Sequence, residues 1–190
     1  MTKQEEKQTN ITIKTLEIAG FASVLQALRL PFGKECRSKS EGESDWNEGL
    51  NADTWYSRVY CEIDHRDLNL LSALVRRGDE HSKAIRGLVV YALIDAPRFW
   101  WQEMDTYRVG TDRLSSESTM HIQGKGLSED ELVRMKANLT EGTMQKRIQM
   151  FSYQTLRRIY HQRRDHRLPH WREFCDWITT LPYFEELIKM

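Results

Sequence analysis

The run Gly87-Leu-Val-Val-Tyr-Ala-Leu-Ile-Asp95 constrains this chain most. It is a continuous apolar stretch of strand length, uncharged until its last residue, and it reads as a buried strand. Asp95-Ala-Pro97 follows at once as a helix-start signal, with Pro97 suited to the first turn. A core strand therefore delivers the chain directly into a helix carrying Phe99, Trp100, Trp101, Gln102, Tyr107 and Arg108. Trp100 and Trp101 read as core or interface aromatics.

Around this unit the other elements fall into place. Residues 1–10 form a polar tail, and Ile11 to Ile18 a short strand leading into a helix around Ala22–Leu30, which Pro31 ends. A strand is expected over Tyr56–Ile63 and an amphipathic helix over Asp67–Arg77, closed by Gly78. Further helices are expected at Ser128–Asn138, where Ser128-Glu-Asp-Glu131 is a capping box, at Thr143–Arg164 and at His170–Thr179. The reading is one domain over 11–190 with a loop insertion at about 38–54. Residues 41–55 hold five acidic residues and no basic one, which suits a solvated insertion or a lid closing with Trp46 and Trp55.

Charge sharpens the picture. The 28 Lys+Arg and 28 Asp+Glu cancel, so function through bulk electrostatics is excluded. Residues 142–175, however, hold eight Lys/Arg against two acids. On a helix over 143–164, Met144, Ile148, Phe151, Thr155 and Ile159 make the core stripe, Arg157 and Arg164 face water, and Arg158 and Arg163 flank the stripe, where they can reach an anion or nucleotide. A single-stranded nucleic-acid surface is the competing use of this stretch, but its aromatics sit mostly at core spacing. No apolar run is long enough to span a membrane, and the first ten residues lack a secretory core, so a cytoplasmic protein is expected, with Cys36, Cys61 and Cys175 reduced. The spacing of His161, His166, His170 and Cys175 matches no closed zinc site, and no metal is expected. Nucleophile-elbow, Walker and dinucleotide glycine motifs are all missing from the sequence.

One constellation remains, running from His81 to His121. It contains His81-Ser-Lys-Ala-Ile-Arg86, the apolar strand, Pro97-Arg-Phe99, Thr106-Tyr107-Arg108, and Ser116-Glu117-Ser118-Thr119-Met120-His121. Hydroxyls and backbone N–H groups around a carboxylate, with an arginine and an aromatic nearby, suit a phosphorylated sugar-base.

The order of these residues resembles the flavin-dependent thymidylate synthase (ThyX) family. His81 falls on the histidine of that family's first motif, Pro97 and Phe99 on its helix start, and Thr106-Tyr107-Arg108 on its Arg-His-Arg. Glu117 and Thr119 match the Glu and Ser of its next motif after a three-residue insertion. Ser152-Tyr-Gln154-Thr155-Leu156 runs to Arg163 at the spacing of the family's helix ending in an arginine that activates the pyrimidine, and Trp171 with Glu173 resembles the segment after it. The resemblance implies an α+β fold with a central antiparallel or mixed sheet packed by long helices, and a homotetramer. It also implies a dUMP-type nucleotide held by Arg108, Glu117, Ser118, Thr119, Arg158 and Arg163, with Arg163 catalytic. FAD would be held by His81, Thr106, Tyr107, Arg108 and Ser152, with NADPH and methylenetetrahydrofolate as co-substrates. The departures are Arg86 for the first motif's Glu, Thr106 and Tyr107 in Arg-His-Arg, His121 for the last motif Arg, and Ser152 and Gln154 for the helix Asn and Arg. They leave open a non-catalytic, nucleotide-binding relative.

Overall fold

The computed structural model describes residues 10–35, 39–40 and 61–190. Strand β1 (Thr12–Ala19) turns at Gly20 into helix α1 (Phe21–Arg29), and Pro31 sits in the 3-10 turn that follows. A two-stranded ribbon pairs β2 (Lys39–Ser40) with β3 (Cys61–Glu62), where the strand expected over Tyr56–Ile63 falls in part. The acidic stretch 41–55, with Trp46 and Trp55, lies outside the described residues. Helix α2 (His65–Arg76) begins where the Asp64 side chain accepts from the Arg66 N–H. A 3-10 segment (Ser82–Gly87) then leads into β4 (Val89–Pro97), α3 (Arg98–Met104) and β5 (Thr111–Ser116). Helices α4 (Thr119–Ile122) and α5 (Glu129–Ala137) precede β6 (Met144–Ser152), α6 (Tyr153–Arg163) and α7 (Pro169–Thr179), and the chain closes on a π-helical turn (Glu185–Lys189).

The main sheet has the order β1-β4-β6-β5 and is antiparallel at every pairing. The expected core strand is thus central. Val90, Ala92, Ile94 and Ala96 of β4 are buried, while Val89, Tyr91, Leu93 and Asp95 on its other face are half-buried. The helical layer covers the first face. Within it Trp100 packs on Trp101 and Trp171 at ring-centroid distances of 4.9 and 5.0 Å, and on Phe174 at 5.4 Å. The expected α+β class with a central sheet packed by helices holds, and among the described residues the α-helices run from four to twelve residues.

Two expected elements are corrected. The helix expected over Thr143–Arg164 is a strand followed by a helix. β6 points Arg147, Gln149 and Phe151 into the core and Ile148 and Met150 to the opposite face, so the stripe through Met144, Ile148 and Phe151 belongs to no helix. Two polar residues at inward positions mask the two-residue period. Arg147 is tolerated there because Nη1 donates to Asp105 at 2.8 Å and the guanidinium lies 4.3 Å from the centre of the Trp101 ring. Burial pulls the Arg147 pKa down, and the Asp105 contact opposes that. α6 starts at Ser152, whose hydroxyl accepts from the Thr155 N–H. The helix after Pro97 is also shorter than expected. It ends at Met104, and Tyr107 and Arg108 lie in the loop beyond it.

Candidate functional site

Arg163 ends α6 as part of a packed group drawn from four segments. Its Nε donates to the Tyr107 hydroxyl at 2.8 Å, and Nη1 lies 3.2 Å from Glu103 Oε2 and 2.8 Å from His166 Nε2. The guanidinium stacks 4.6 Å from the centre of the Trp171 ring, whose Nε1 donates to the same Glu103 oxygen at 2.8 Å. The Tyr107 hydroxyl donates in turn to Gln162 Oε1 at 3.0 Å. Arg163, expected to flank the core, is half-buried at its edge. Sequence reasoning missed Glu103, the carboxylate that orients it. No local signal marks it, because it meets Arg163 and Trp171 only through tertiary contact.

The loop between α3 and β5 carries the other two residues of that expected motif. The Thr106 hydroxyl donates to the Glu103 carbonyl at 2.7 Å, and Arg108 is exposed. The loop is pinned at its far end, where Thr155 Oγ1 donates to the Val109 carbonyl at 2.7 Å and the Ser152 N–H to the Gly110 carbonyl at 2.7 Å. Ser152 itself is buried, with its hydroxyl on the α6 cap and 3.0 Å from Thr155 Oγ1.

Glu117, Ser118 and Thr119 lie at the other end of β5. The Glu117 carboxylate accepts from the Lys146 N–H at 3.1 Å and lies 3.6 Å from its ammonium. Beside it, Leu93, Ser115, Ser116, Lys146, Arg147 and Ile148 complete a hollow of about 280 Å³. A smaller hollow of about 120 Å³, lined in part by Lys14 and Asp95, shares Leu93 and Lys146 with it. Burial pushes the Asp95 carboxyl up, and Lys146 opposes the shift. Ser118 caps α4, and Thr119 is buried, its hydroxyl accepting from the Lys136 ammonium.

The remaining expected residues form a separate group. Arg158 donates from Nε and Nη2 to Asp79 Oδ2 at 3.0 and 2.7 Å, and Arg86 donates to Gln154 Oε1 at 2.6 Å. His81 is exposed at the start of the 3-10 segment. Arg157, expected to meet water, instead donates from Nε and Nη2 to the Met190 carbonyl at 3.0 and 2.6 Å. A continuous helix over 143–164 would turn Arg157 outward, but residues 144–152 are strand and the helix that carries Arg157 begins only after them.

The structure therefore brings Arg163 and Tyr107 together and leaves Glu117, Ser118 and Thr119 elsewhere. Arg163 packs in the helical layer on the core face of the sheet. Leu93, Lys146 and Ile148, which floor the Glu117 hollow, belong to the opposite face by strand alternation. Among the described residues no group of three or more His, Cys, Asp or Glu side chains is arranged to hold a metal ion, and no helix is long and apolar enough to cross a membrane. For a flavin diphosphate the loop offers little. Thr106 is spent on Glu103, Tyr107 on Arg163 and Ser152 on its helix cap, which leaves Arg108 as the exposed cation of Thr106–Gly110. Of the residues expected to hold FAD, His81 and Arg108 are exposed, and Thr106, Tyr107 and Ser152 are engaged within the protein.

No family model matches the sequence, and no curated protein matches it. Solved structures do match the fold. The flavin-dependent thymidylate synthase ThyX from Helicobacter pylori complexed with FAD and dUMP aligns over 93% of this chain and 97% of its own, with 14% identity and a TM-score of 0.61. A second structure of the Helicobacter pylori enzyme, also with FAD and dUMP, covers 94% of this chain and 97% of its own at 13% identity and a TM-score of 0.62. The UMP/dUMP methylase PolB from Streptomyces cacaoi, bound with 5-Br dUMP, covers 94% of this chain and 92% of its own at 13% identity and a TM-score of 0.56. The chain has the ThyX-like fold.

Proposed function

We propose that this ThyX-fold chain binds a pyrimidine deoxynucleotide of the dUMP class and has lost the flavin half of the fold's usual ligand pair. The observation that carries the reading is the braced Arg163 guanidinium, whose Nε and Nη1 are fixed on Tyr107, Glu103 and His166. A fixed guanidinium at a half-exposed edge suits a planar, oxygen-bearing ring or a phosphate, because little entropy is lost when the ligand docks. The dUMP-bound neighbours support the nucleotide class. The Helicobacter pylori neighbours also hold FAD, and of the residues expected to hold it here Thr106, Tyr107 and Ser152 are engaged within the protein, which supports the loss.

Arg163 and Glu117 face away from each other across one sheet, so a single nucleotide touching both takes them from different protomers. That geometry favours a homo-oligomer, with the tetramer of the resemblance as the expected state. Arg108 supplies an exposed cation for phosphate, whereas Arg158 is held by Asp79 in a group apart from Arg163 and His81 is exposed at the start of the 3-10 segment.

The test is thermal unfolding with dUMP, UMP, dCMP and FAD, together with an absorbance spectrum. The expected result is colourless protein whose Tm rises with dUMP and not with FAD. Yellow protein that makes thymidylate from dUMP with NADPH and methylenetetrahydrofolate would restore the flavin enzyme. A nucleotide panel without any shift would remove the reading, and steeply salt-dependent binding of single-stranded DNA would replace it.

A further inference from the structure

His166 lies between two groups that can only donate. Its Nδ1 is 3.2 Å from the backbone nitrogen of Leu168, and its Nε2 is 2.8 Å from Nη1 of Arg163. A neutral imidazole carries one ring proton and so offers one acceptor to the pair. Whichever nitrogen holds the proton, one contact sets N–H against N–H. A doubly protonated ring does this at both ends. The 2.8 Å contact to a charged donor is the stronger of the two. The ring proton therefore sits on Nδ1, facing the N–H of Leu168, the residue that precedes α7.

An oxygen with lone pairs and no hydrogen removes the conflict. It accepts from Arg163 Nη1 and from a proton now on Nε2, and Nδ1 is freed to accept from Leu168. Arg163 keeps its brace, because Nη1 carries two hydrogens and Glu103 Oε2 lies 3.2 Å away for the other. Arg163 and His166 are both half-buried, so the place opens to solvent, and His166 lies in the link between α6 and α7, where the two nitrogens can part around the oxygen. The neighbours are flat. The guanidinium lies 4.6 Å from the centre of the Trp171 ring, and His166 meets the same ring edge-on with centroids 6.2 Å apart. Such walls suit the carbonyl of a planar ring better than a tetrahedral phosphate. We propose that His166 is a second contact to the pyrimidine, donating from Nε2 beside Arg163 to one carbonyl oxygen of the base. Binding moves the ring proton from Nδ1 to Nε2 through exchange with water, with no change in net charge. This inference rests on the nucleotide reading above.

Long-range proton–nitrogen correlation spectra of the isotope-labelled chain report which ring nitrogen is protonated, with His166 assigned by the loss of its signals in His166→Gln. The expected result is Nδ1–H in the free protein and Nε2–H at saturating dUMP, with the same switch for deoxyuridine and none for inorganic phosphate. His166→Phe, which keeps a ring against Trp171, should bind dUMP about tenfold more weakly. Circular dichroism and Tm check that this variant folds, and the wild-type spectra decide the matter if it does not. A switch caused by phosphate alone would overturn the proposal, assigning the contact to a phosphate oxygen. If dUMP binds without moving the proton, or binds His166→Phe as tightly as wild type, this inference fails and the nucleotide reading stands. Absence of dUMP binding to wild type would remove both.

Discussion

Tyr107 accepts a 2.8 Å hydrogen bond from Nε of Arg163, across 56 positions of sequence. The bond ties the loop after α3 to the last turn of α6, and Glu103 and Trp171 close the group from α3 and α7. Four segments thus fix one cation at the rim of the core. The ring face beneath it and the carboxylate beside it hold its direction.

Tyr107→Phe isolates that bond, because the ring remains beside Trp171 at a centroid distance of 5.9 Å while the hydroxyl that serves Arg163 and Gln162 is lost. The expected stability cost is about 1 kcal/mol, the usual net value of a partly exposed hydrogen bond. Nucleotide affinity should fall by more than stability does, roughly tenfold, because Arg163 then samples other rotamers. Calorimetric titration with dUMP beside urea unfolding separates the two effects. Equal affinity in the variant would assign Tyr107 to packing alone.

Glu103→Gln should act in the opposite direction. Glu103 Oε2 competes with any incoming anion for Arg163, yet it also accepts from the Trp171 indole. The amide keeps an acceptor for the indole and gives up the charge, so an anionic nucleotide should bind several-fold more tightly. Glu103→Ala should instead lose affinity, since the indole and Arg163 are then both unsupported. Titrations of the two variants at low salt are the check, and a gain with alanine would show that Glu103 only repels.

Gly110 holds the loop that presents Tyr107 and Arg108. It has φ 75°, and a Cβ there would collide with Thr155 Oγ1 and Ser152 Oγ, the groups that pin the loop and cap α6. Gly110→Ala should cost about 1–3 kcal/mol through left-handed backbone and overlap together. It should also weaken nucleotide binding, because the shift propagates to Tyr107. Hydrogen exchange over 105–112 should rise in the variant. Unchanged exchange there would mean that the loop absorbs the methyl group without moving.

The sequence displayed its centre well and its edges poorly, for physical reasons. β4 was legible because a run of apolar residues has one stable home, and the ends of α1, α2 and α5 were legible because Pro31, Gly78 and Ser128 act locally. β6 was not, because Arg147 and Gln149 occupy inward positions that the pattern assigns to apolar side chains, and only the distant Asp105 and Trp101 make Arg147 tolerable. β5 carries exposed and partly polar residues along an edge, so it has no core face to announce it. Arg163 could be picked out by spacing. Its brace could not, since Glu103 and Tyr107 reach it through tertiary contact.

Cys175 gives a prediction in alkaline solution. Burial pushes its thiol up to about 12, with Asp176 adding to the shift. In the unfolded chain the thiol ionises near 8.5. Between those values the native state keeps a proton that the unfolded state has released, so stability must fall as pH rises, by about 1.4 kcal/mol per pH unit from this group. Below the unfolded value the group makes no difference to the slope. Urea unfolding at pH 8, 9 and 10 should therefore show a steeper decline for wild type than for Cys175→Ala, whatever the variant loses in packing at every pH. Alkylation of native protein at pH 8 should leave Cys175 unmodified until denaturant is added. Parallel slopes for the two proteins would mean that the thiolate is tolerated in the folded core.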